Sequence, residues 1–387
     1  MKRYAKCPLA RTCGACQLME FSYPKQLDMK MRYLEELLGH FGPIAPIQGM
    51  DDPTGYRTKI QAVFGYDWKK QLASGIYRQG THQLVPIHSC MVQHPLADRI
   101  LKTIRTLSHR FQVSAYDEDT GFGYLRHVLI KISRTTGEAI VVLVCGQWQI
   151  PSAPDFLSAL RQQHPEITTI AVHINREQTS MVLGEQPVKV IWGKGFIEER
   201  LCSLTFRISP TSFFQVNVQQ AEVLYTLAMR MARITKDDLI VDAYCGTGTI
   251  ALIAAKEGAK EVLGIESNEQ AVEDAKANAE RNGLDNAQFI TADASVYLKE
   301  MAKQKKSCDV LFLDPPRSGS DERFLSAAIR LRPKRIVYIS CNPKTLERDL
   351  KYILQFGPYR VVGMQPVDMF PHTDHIETVV LLSRLEA

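Results

Sequence analysis

The spacing of apolar residues divides the chain into two regions with different patterns. In the first region, apolar residues that recur every three or four positions alternate with short runs that are typical of strands. The periodicity predicts helices over residues 24–40, 94–111 and 155–163. Strands are predicted over 59–66, 74–78, 125–133, 138–145, 169–175, 181–184 and 201–208. Residues 20–208 are therefore expected to form an α+β unit with one antiparallel sheet.

The second region, residues 209–387, repeats strand, turn and helix in regular order. Strands are predicted over 239–241, 262–266, 289–291, 309–313 and 335–339, and helices over 217–232, 268–282 and 344–355. Two further strands, 360–369 and 377–383, follow without a helix between them. Such alternation predicts an α/β fold with a doubly wound, Rossmann-like parallel sheet. The final pair of strands predicts an antiparallel hairpin at one edge of that sheet.

Composition limits the classes of protein to which the chain can belong. Its 387 residues, 45% of them hydrophobic, suffice for two or more buried cores. No apolar run reaches the roughly 18 residues that a membrane helix needs, and the polar N-terminus has no apolar signal region. Nine cysteines in such a chain disfavour a disulfide framework. We therefore expect a cytoplasmic protein that contacts no membrane.

Four cysteines form a candidate metal site. Cys7, Cys13 and Cys16 lie within one turn-rich segment, and Cys90 follows much later. Three clustered thiols and one distant thiol can enclose a tetrahedral zinc ion or an iron–sulfur cluster. Five residues separate the first two cysteines and two separate the next pair, a spacing that matches neither common ferredoxin pattern. The spacing therefore indicates a metal site and leaves the metal open.

A glycine-containing turn follows the first strand of the second region. Residues 245–248 read Cys-Gly-Thr-Gly, and glycine allows both a sharp turn and the close approach of a ligand. Open parallel sheets bind ligands at the carboxyl ends of their strands, so this turn predicts a nucleotide-like ligand. Glu266 ends the next strand about twenty residues later, where an acid can bind two ribose hydroxyls. The turn lacks the G-x-G-x-x-G spacing of dinucleotide enzymes, and with the terminal hairpin this favours an S-adenosylmethionine-dependent methyltransferase.

Two strand ends indicate which group is methylated. The strand at 309–313 ends in Asp314-Pro-Pro-Arg317, and Arg317 cannot supply the aromatic ring that amino-methylating enzymes carry at this position. Cys341 ends the next strand and can supply a thiolate nucleophile. A thiolate that adds to carbon 6 of a pyrimidine allows carbon 5 to take a methyl group, after which a base must remove the carbon-5 proton. Glu377 is the best-placed acid near the C-terminus.

Taken together, these segments resemble the bacterial RNA uracil-C5 methyltransferases, which make 5-methyluridine in ribosomal and transfer RNA. The resemblance covers almost the whole chain and rests on CPLARTCGACQ with Cys90, SFFQVN, DAYCGTGTI, the strand that ends in Glu266, LDPPRSG, YISCNPKT and HIET. It implies that Cys341 is the nucleophile, that Glu377 is the base and that Arg317 supports the nucleophile and the target pocket. It also implies a cofactor pocket that contains Gln215, Tyr244, Glu266 and Asp314.

The same resemblance implies a metal centre and a substrate. In the ribosomal RNA branch of the family, cysteines at the matching positions hold a [4Fe-4S] cluster, which implies Cys7, Cys13, Cys16 and Cys90 as ligands within residues 1–95. The transfer RNA branch lacks this cluster, so the cysteines favour a single-stranded or loop uridine in 23S ribosomal RNA. The chain starts near its first cysteine and thus resembles the branch without an N-terminal barrel domain. No obligate protein partner is expected.

Three alternatives to this substrate and activity stay open. A uridine in transfer RNA is one of them. Carbon 5 of an RNA cytosine is another, although residues 314–320 lack the second cysteine that several cytosine enzymes carry there. A non-catalytic iron–sulfur RNA-binding protein is an alternative from a different class, and the combination of Cys341 with Glu377 argues against it because a binding protein needs neither residue.

The central region contains a candidate surface for RNA. Basic and aromatic residues are interleaved there, as they often are where proteins contact nucleic acid. The residues are Arg57, Lys59, Arg78 and Arg126 with Tyr56, Tyr77 and Tyr124. The exposed face of an ordinary sheet would give the same pattern, so both interpretations stay open. The net charge of +5 permits a polyanionic partner without requiring one.

Overall fold

The computed structural model describes residues 7–78, 80–147, 150–179 and 181–385, so residues 1–6 of the predicted cluster segment lie outside the described residues. The first part of the chain forms a seven-stranded sheet with the order β3-β2-β1-β4-β5-β6-β7. Its elements are α1 (Ala10–Cys13), α2 (Tyr23–Leu38), β1 (Lys59–Tyr66), β2 (Leu72–Tyr77), β3 (Leu84–Pro86), α3 (Pro95–Arg110), β4 (Leu125–Ile132), β5 (Ala139–Cys145), α4 (Ala153–Gln163), β6 (Ile167–Ile174) and β7 (Lys189–Gly193).

This first sheet is mixed, and the prediction of a purely antiparallel sheet was wrong. β5 and β6 run parallel, and α4 forms the crossover that connects them. A parallel pair needs such a crossover because the chain must return to the same end of the sheet. The strand predicted over 181–184 is also absent, and the edge strand is instead β7. The predicted hairpin of β4 and β5 is confirmed.

A two-stranded hairpin follows where a single strand was predicted over residues 201–208. β8 (Ile197–Leu201) and β9 (Leu204–Ile208) pair antiparallel across a two-residue turn. The turn residues Cys202 and Ser203 have φ values of 50° and 61°. Two consecutive positive φ values match the right-handed twist of hairpin strands. Cysteine and serine are not typical of such a turn, so the sequence did not predict it.

The second sheet confirms the predicted doubly wound α/β fold. It has seven strands in the order β12-β11-β10-β13-β14-β16-β15, of which the first five are parallel and the final hairpin is antiparallel. Its elements are α5 (Val218–Ala232), β10 (Leu239–Ala243), α6 (Thr249–Lys256), β11 (Glu261–Glu266), α7 (Glu269–Arg281), β12 (Ala287–Thr291), α8 (Ala294–Lys303), β13 (Val310–Leu313), α9 (Glu322–Leu331), β14 (Arg335–Ser340), α10 (Pro343–Phe356), β15 (Tyr359–Val367) and β16 (Glu377–Arg384).

Alternate residues of the central strands enter two different cores, one on each face of the second sheet. In β13, Val310 and Phe312 pack with α5, α6 and α7, whereas Leu311 and Leu313 pack with α8, α9 and α10. Strands covered on both faces are apolar at nearly every position, which is why β13 reads as a continuous apolar run. The first of these cores also contains Leu129 of β4, so it is continuous between the two sheets.

The N-terminal helix α2 packs on the second sheet. Its Leu34 and Leu38 are fully buried in the core formed with α8, α9 and α10. This places α2 close to the end of the chain, although residue 20 onward was grouped with the central unit in the sequence. Within the described part of the chain, we find no helix that is both long and apolar enough to cross a bilayer.

Candidate active site at the strand ends of the second sheet

Three predicted site residues form a row at the carboxyl ends of neighbouring parallel strands. Ala243 of β10 pairs with Ile265 of β11 on one side and with Leu313 of β13 on the other. The residues that follow these three positions are Tyr244, Glu266 and Asp314. Because parallel strands end at the same edge of a sheet, the register alone brings the three residues together.

Cys341 and Glu377 are neighbours at the same edge. Ser340, the last residue of β14, pairs with Thr378 of the antiparallel strand β16. Cys341 follows Ser340, and Glu377 precedes Thr378, so the thiol and the carboxyl group leave adjacent strands at the same level. The antiparallel direction of β16 is therefore what brings a residue from the end of the chain beside the cysteine.

Two carboxyl groups at this edge, those of Asp314 and Glu377, are protonated more readily than usual. Burial raises the pKa of Asp314 to about 7. Glu377 is only 5% exposed, and its pKa is raised to about 8. Burial is the main cause and the Asp314 carboxylate is the second, whereas Arg317 lowers the pKa. Burial in a low-dielectric site disfavours the charged form of an acid. A carboxyl group with a pKa near neutrality is suited to proton transfer.

The Cys341 thiol is influenced by these two acids and by a cation. Burial, and then the Glu377 and Asp314 carboxylates, raise its pKa to about 11, whereas Arg317 lowers it. Asn342 caps the N-terminus of α10, and its Nδ2 atom donates to the carbonyl oxygen of Arg317 at 3.0 Å. The thiol therefore lies at a helix N-terminus, where the helix dipole favours a thiolate.

Gln215 reaches this edge from the segment before α5. Its Nε2 atom donates to the hydroxyl of Tyr225 at 3.3 Å. Tyr225 is buried, and burial, Asp314 and Glu377 all raise its pKa. Tyr225 was not predicted as a site residue because an aromatic residue at helical spacing on α5 is typical of a core position.

The glycine turn after β10 is open on its outer side. Gly246 and Gly248 have φ values of 54° and 84°. A Cβ atom at Gly248 would lie 2.9 Å from the Phe289 ring, whereas one at Gly246 would meet no described atom within 4 Å. The Glu266 carboxylate braces the turn, since its Oε2 atom accepts from the Gly246 backbone N–H at 3.1 Å and its Oε1 atom accepts from Asn268 N–H at 2.9 Å.

Asp242 adds a further carboxyl group beneath the turn. Its Oδ2 atom accepts from Ala251 N–H at 2.9 Å, and its buried Oδ1 atom has no hydrogen-bond partner among the described residues. Burial raises its pKa well above the ordinary value, and Asp314 and Glu266 raise it further. Three acids around an open glycine turn are suited to a cationic, nucleoside-like ligand. Asp242 directly follows the predicted strand at 239–241 and was not predicted as a site residue.

Tyr244 contributes differently from the other predicted pocket residues. Its backbone has a φ of 66° and continues the turn. Its ring packs against Phe324 of α9, with the ring centroids 4.9 Å apart, and burial raises the pKa of its hydroxyl to about 12. We infer that the backbone of Tyr244 shapes the turn while its ring anchors the turn to α9.

The four predicted metal ligands are neighbours. Cys7, Cys16 and Cys90 pack around a small apolar cluster of Met19, Tyr56 and Val92. Burial, followed by the Cys90, Cys13 and Cys7 thiols, raises the pKa of Cys16 to about 12. Across residues 7–78, 80–147, 150–179 and 181–385, no group of three or more His, Cys, Asp or Glu side chains is arranged to hold a metal ion. The donor set suits a metal, but its geometry is not that of a formed site.

The interleaved basic and aromatic residues do not form one exposed surface, so neither of the two open interpretations, an RNA surface or an exposed sheet face, holds for the whole set. Arg126 is only 2% exposed, and its guanidinium donates to the backbone carbonyl oxygens of Asn175, Glu177 and Thr179. Tyr56 is buried beside the cysteines. Arg78 remains exposed, and the other members of the set are half-buried. Alternation along a strand cannot distinguish an outward face from one that a loop covers.

Comparison with known proteins gives consistent results for most of the chain. The family model described as tRNA (Uracil-5-)-methyltransferase matches residues 22–385. A protein of Caldanaerobacter subterraneus, named as an uncharacterized RNA methyltransferase, is 40% identical over 383 residues, which are 98% of this chain and 84% of that protein. A protein of Bacillus cereus with the same kind of name is 37% identical over 390 residues, which cover all of this chain and 84% of that protein.

A solved structure is similar over both sheets. It is the crystal structure of the Pyrococcus abyssi tRNA (uracil-54, C5)-methyltransferase in complex with S-adenosyl-L-homocysteine. The TM-score is 0.78 at 28% sequence identity, and the match covers 96% of this chain and 86% of that one.

Proposed function

We propose that this chain, which belongs to the family of tRNA (uracil-5-)-methyltransferases and is an S-adenosylmethionine-dependent RNA methyltransferase, methylates carbon 5 of a specific uridine in 23S ribosomal RNA. The observation that carries the reaction is the placement of Cys341 beside Glu377 across β14 and β16. One residue can form a covalent bond to the base, and the other can remove a proton from it. A binding protein would require neither.

Cys341 is proposed to start the reaction. Its thiolate adds to carbon 6 of the uracil, so the electron pair of the 5,6 double bond moves towards the carbonyl oxygen and carbon 5 becomes nucleophilic. Carbon 5 then takes the methyl group of S-adenosylmethionine, and S-adenosylhomocysteine leaves. Arg317 and the N-terminus of α10 favour the thiolate that this addition needs. They act against burial and the neighbouring acids, which raise the pKa of the thiol to about 11.

Glu377 is proposed to finish the reaction. Its carboxylate removes the proton from carbon 5, the 5,6 double bond forms again, and the Cys341 sulfur leaves carbon 6 as a thiolate. The raised pKa of Glu377, about 8, supports this role because the resulting carboxylic acid is stable in its buried site. Before methyl transfer, the positive charge of the donor would favour the ionised form of Glu377, so the carboxylate would already be present when the carbon-5 proton has to be removed.

The methyl donor is proposed to bind along the row of strand ends. Glu266 would hold its ribose hydroxyls, and the open side of the Gly246 turn would admit its methionine part. Asp242 and Asp314 would face the positive charges of the donor. Gln215 and Tyr244 complete the proposed pocket, the latter through its backbone. The fit is supported by the unpartnered Oδ1 atom of Asp242 and by the space at Gly246.

The chain is proposed to divide this work among three regions. Residues 1–95 carry the cysteines, residues 20–208 hold the RNA, and residues 209–387 transfer the methyl group. The target uridine must leave its stack, which costs a few kcal/mol and less in a loop than in a helix. Phe213 is an exposed aromatic residue two positions before Gln215, and its ring is suited to stack on such a base.

The [4Fe-4S] cluster belongs to this proposal rather than to the described structure. The electrostatic effect of the Cys7, Cys13 and Cys90 thiols on Cys16 supports it, and 23S ribosomal RNA as substrate is inferred from these cysteines through the family resemblance. Protein purified without oxygen should contain about four irons and four sulfides per chain if the proposal is right. The variant Cys13→Ser should lose this content. Stoichiometric zinc would contradict the cluster.

A uridine in transfer RNA is the second candidate substrate. The observation that favours it is the similarity to a structure whose own substrate is named as position 54 of transfer RNA. Both RNAs should therefore be tested together. RNA from cells that lack this protein would be treated with the purified enzyme and labelled S-adenosylmethionine, and mass mapping would locate the label.

The outcomes of this experiment are distinct. Label on 5-methyluridine at one position of 23S ribosomal RNA, absent with Cys341→Ala, would support the full proposal. Label on transfer RNA alone would support the second candidate. Label on 5-methylcytidine, or activity that survives Cys341→Ala, would overturn the proposed reaction.

A further inference from the structure

Glu377 follows directly after a loop that the rest of the protein holds on several sides. The loop, residues 368–376, connects β15 to β16. Val367 and Glu377, the residues on either side of the loop, pair with each other in the sheet. The two halves of the loop that start from this pair are called its limbs. An unsupported loop of this length would let the first residue of β16 fray. The contacts that prevent this come mainly from the N-terminal helix α2 and from the start of α5.

Lys30 of α2 connects the two limbs of this loop. Its ammonium group donates to Asp368 Oδ1 at 2.6 Å, to the Phe370 carbonyl oxygen at 3.3 Å and to the His375 carbonyl oxygen at 2.9 Å. Asp368 directly follows β15, and His375 lies two residues before Glu377. An ammonium group has three donors, so every one is used. Lys30 is 2% exposed and Asp368 is fully buried.

Two further side chains of α2 support the loop. Tyr23 donates from its hydroxyl to Asp368 Oδ2 at 2.8 Å, so both oxygens of that carboxylate are bonded. Gln26 accepts from His372 N–H at 3.0 Å through its Oε1 atom, and its Nε2 atom lies 3.1 Å from His372 Nδ1. His372 has a φ of 71°, a conformation that a non-glycine residue keeps only when its surroundings hold it.

The opposite side of the loop is bonded by α5 and by Tyr56. Asn217, the N-cap of α5, donates to the Met369 carbonyl oxygen at 2.9 Å. Gln220 donates to the Asp368 carbonyl oxygen at 3.1 Å, and Tyr56 donates to the Pro371 carbonyl oxygen at 3.0 Å. The loop is thus held between α2 and α5, and most of the bonds end on its backbone.

We propose that Lys30, acting with Gln26 and Asp368, is a positioning residue that fixes Glu377 for removal of the carbon-5 proton. The inference rests on the proposed function, because it assigns a place in that reaction to residues that do not touch the substrate. Burying an ammonium–carboxylate pair is costly, and such a pair contributes structural specificity more readily than net stability. Here, the pair would specify the position of the two loop limbs beside Glu377.

The position of Glu377 limits only one stage of the reaction. Addition of Cys341 and methyl transfer precede proton removal, and the Glu377 carboxylate opposes formation of the Cys341 thiolate, so a displaced Glu377 should not slow these two steps. Loss of Lys30 should therefore slow the release of product and let the methylated RNA accumulate as a covalent adduct with Cys341. A general loss of stability would instead lower adduct formation and turnover together.

The test uses the full-length protein, a uridine-containing RNA fragment that it methylates and denaturing gels that retain a covalent adduct. Glu377→Gln serves as the reference for complete trapping. We expect Lys30→Met to accumulate adduct as Glu377→Gln does, with turnover reduced roughly 10- to 100-fold and the rate of adduct formation within about threefold of the wild-type rate.

Arg335→Met is the matched control. Arg335 is another largely buried cation that bonds one carboxylate, Asp238, and two carbonyl oxygens, those of Ala232 and Arg233, and it lies at the far end of β14 from Cys341. This variant should lose stability without accumulating adduct. If Lys30→Met behaves like Arg335→Met, the role of Lys30 is merely structural and the inference is overturned.

Milder variants keep the test informative if Lys30→Met fails to fold. Tyr23→Phe and Gln26→Ala each remove one support and leave the ion pair in place, so each should accumulate a smaller fraction of adduct. Absence of adduct in both would contradict the inference. Absence of adduct with Glu377→Gln, in an enzyme that still methylates through Cys341, would instead overturn the proposed base itself.

Discussion

Asn342 donates a hydrogen bond of 3.0 Å to the carbonyl oxygen of Arg317, and this bond joins the loop after β13 to the loop after β14. Thr345 supports the same carbonyl oxygen at 3.3 Å. The loop that contains Arg317 is therefore fixed relative to the thiol of Cys341. Arg317 lowers the pKa of that thiol, and we expect this effect to depend on the link.

Two substitutions of Asn342 distinguish its bond to Arg317 from its role as the N-cap of α10. Asn342→Ser keeps a good N-cap for α10 but is too short to reach Arg317, whereas Asn342→Ala loses both functions. We expect both variants to form the RNA adduct roughly tenfold more slowly. Only Asn342→Ala should also lose about 1 kcal/mol of unfolding free energy, measured by urea denaturation. Equal adduct rates for Asn342→Ser and the wild type would refute a role for the link.

The buried Glu377 should make stability depend on pH. Its pKa rises from 4.5 to about 8 on folding, so the native state holds a proton that the unfolded chain releases over this range. The free energy of unfolding therefore falls as the pH rises from about 4.5 to about 8. We expect Glu377→Gln to melt roughly 4 °C or more above the wild type near pH 8.5, with a much smaller difference near pH 5.

Glu273→Gln provides the comparison for this pH effect, because Glu273 is exposed on α7. Its melting temperature should follow that of the wild type at both pH values. The same melting curves recorded with S-adenosylhomocysteine would show whether the gain from Glu377→Gln persists when the pocket is filled. A gain for Glu377→Gln that is equal at both pH values would mean that Glu377 is not buried as an acid.

Asp242 should increase the affinity for the cofactor and lower the stability of the cofactor-free protein. Asp242→Asn removes a buried carboxyl group that has one unpartnered oxygen, so the free protein should gain stability above neutral pH. The same change removes a charge from the proposed site of a cationic donor. We expect calorimetry to show roughly tenfold weaker binding of S-adenosylmethionine and a smaller loss for S-adenosylhomocysteine, which lacks the sulfonium charge. Asp321→Asn, at the N-cap of α9, should leave both affinities unchanged.

The two glycines of the turn should respond differently to alanine. Gly248→Ala adds a Cβ 2.9 Å from the Phe289 ring at a φ of 84°, so we expect it to destabilise the protein by roughly 1–3 kcal/mol. Gly246→Ala meets no described atom, so it should cost only about 1 kcal/mol. Its Cβ would instead enter the proposed cofactor space, and cofactor affinity should fall. Urea denaturation and calorimetry together distinguish the two effects.

The sequence predicts the row of strand-end residues well because the register of parallel strands is a local property. A buried apolar run followed by an acid places that acid at the carboxyl edge, as for Glu266 and Asp314. The neighbouring position of Cys341 and Glu377 also follows once the last two strands are recognised as a hairpin. Their catalytic roles come from chemistry and family resemblance, and they remain proposals.

The contacts that position these residues could not be predicted in the same way. Lys30 and Asp368 are 338 positions apart, and a lysine on an amphipathic helix is ordinarily a solvated charge. The opposite error occurs at Arg126, whose sequence context is that of a surface residue although the loop around Glu177 buries it. In both cases, a segment that is distant in the sequence buries the side chain. The local spacing of apolar residues contains no information about such a contact.

The position of β16 has a consequence for protein synthesis. This strand leaves the ribosome after β14 and β15, yet it enters the sheet between them. A nascent chain that has completed β14 already contains Cys341 but still lacks Glu377. If the proposed roles hold, such a chain could attach itself to RNA but could not release it. Insertion of β16 between β14 and β15 would then enable turnover.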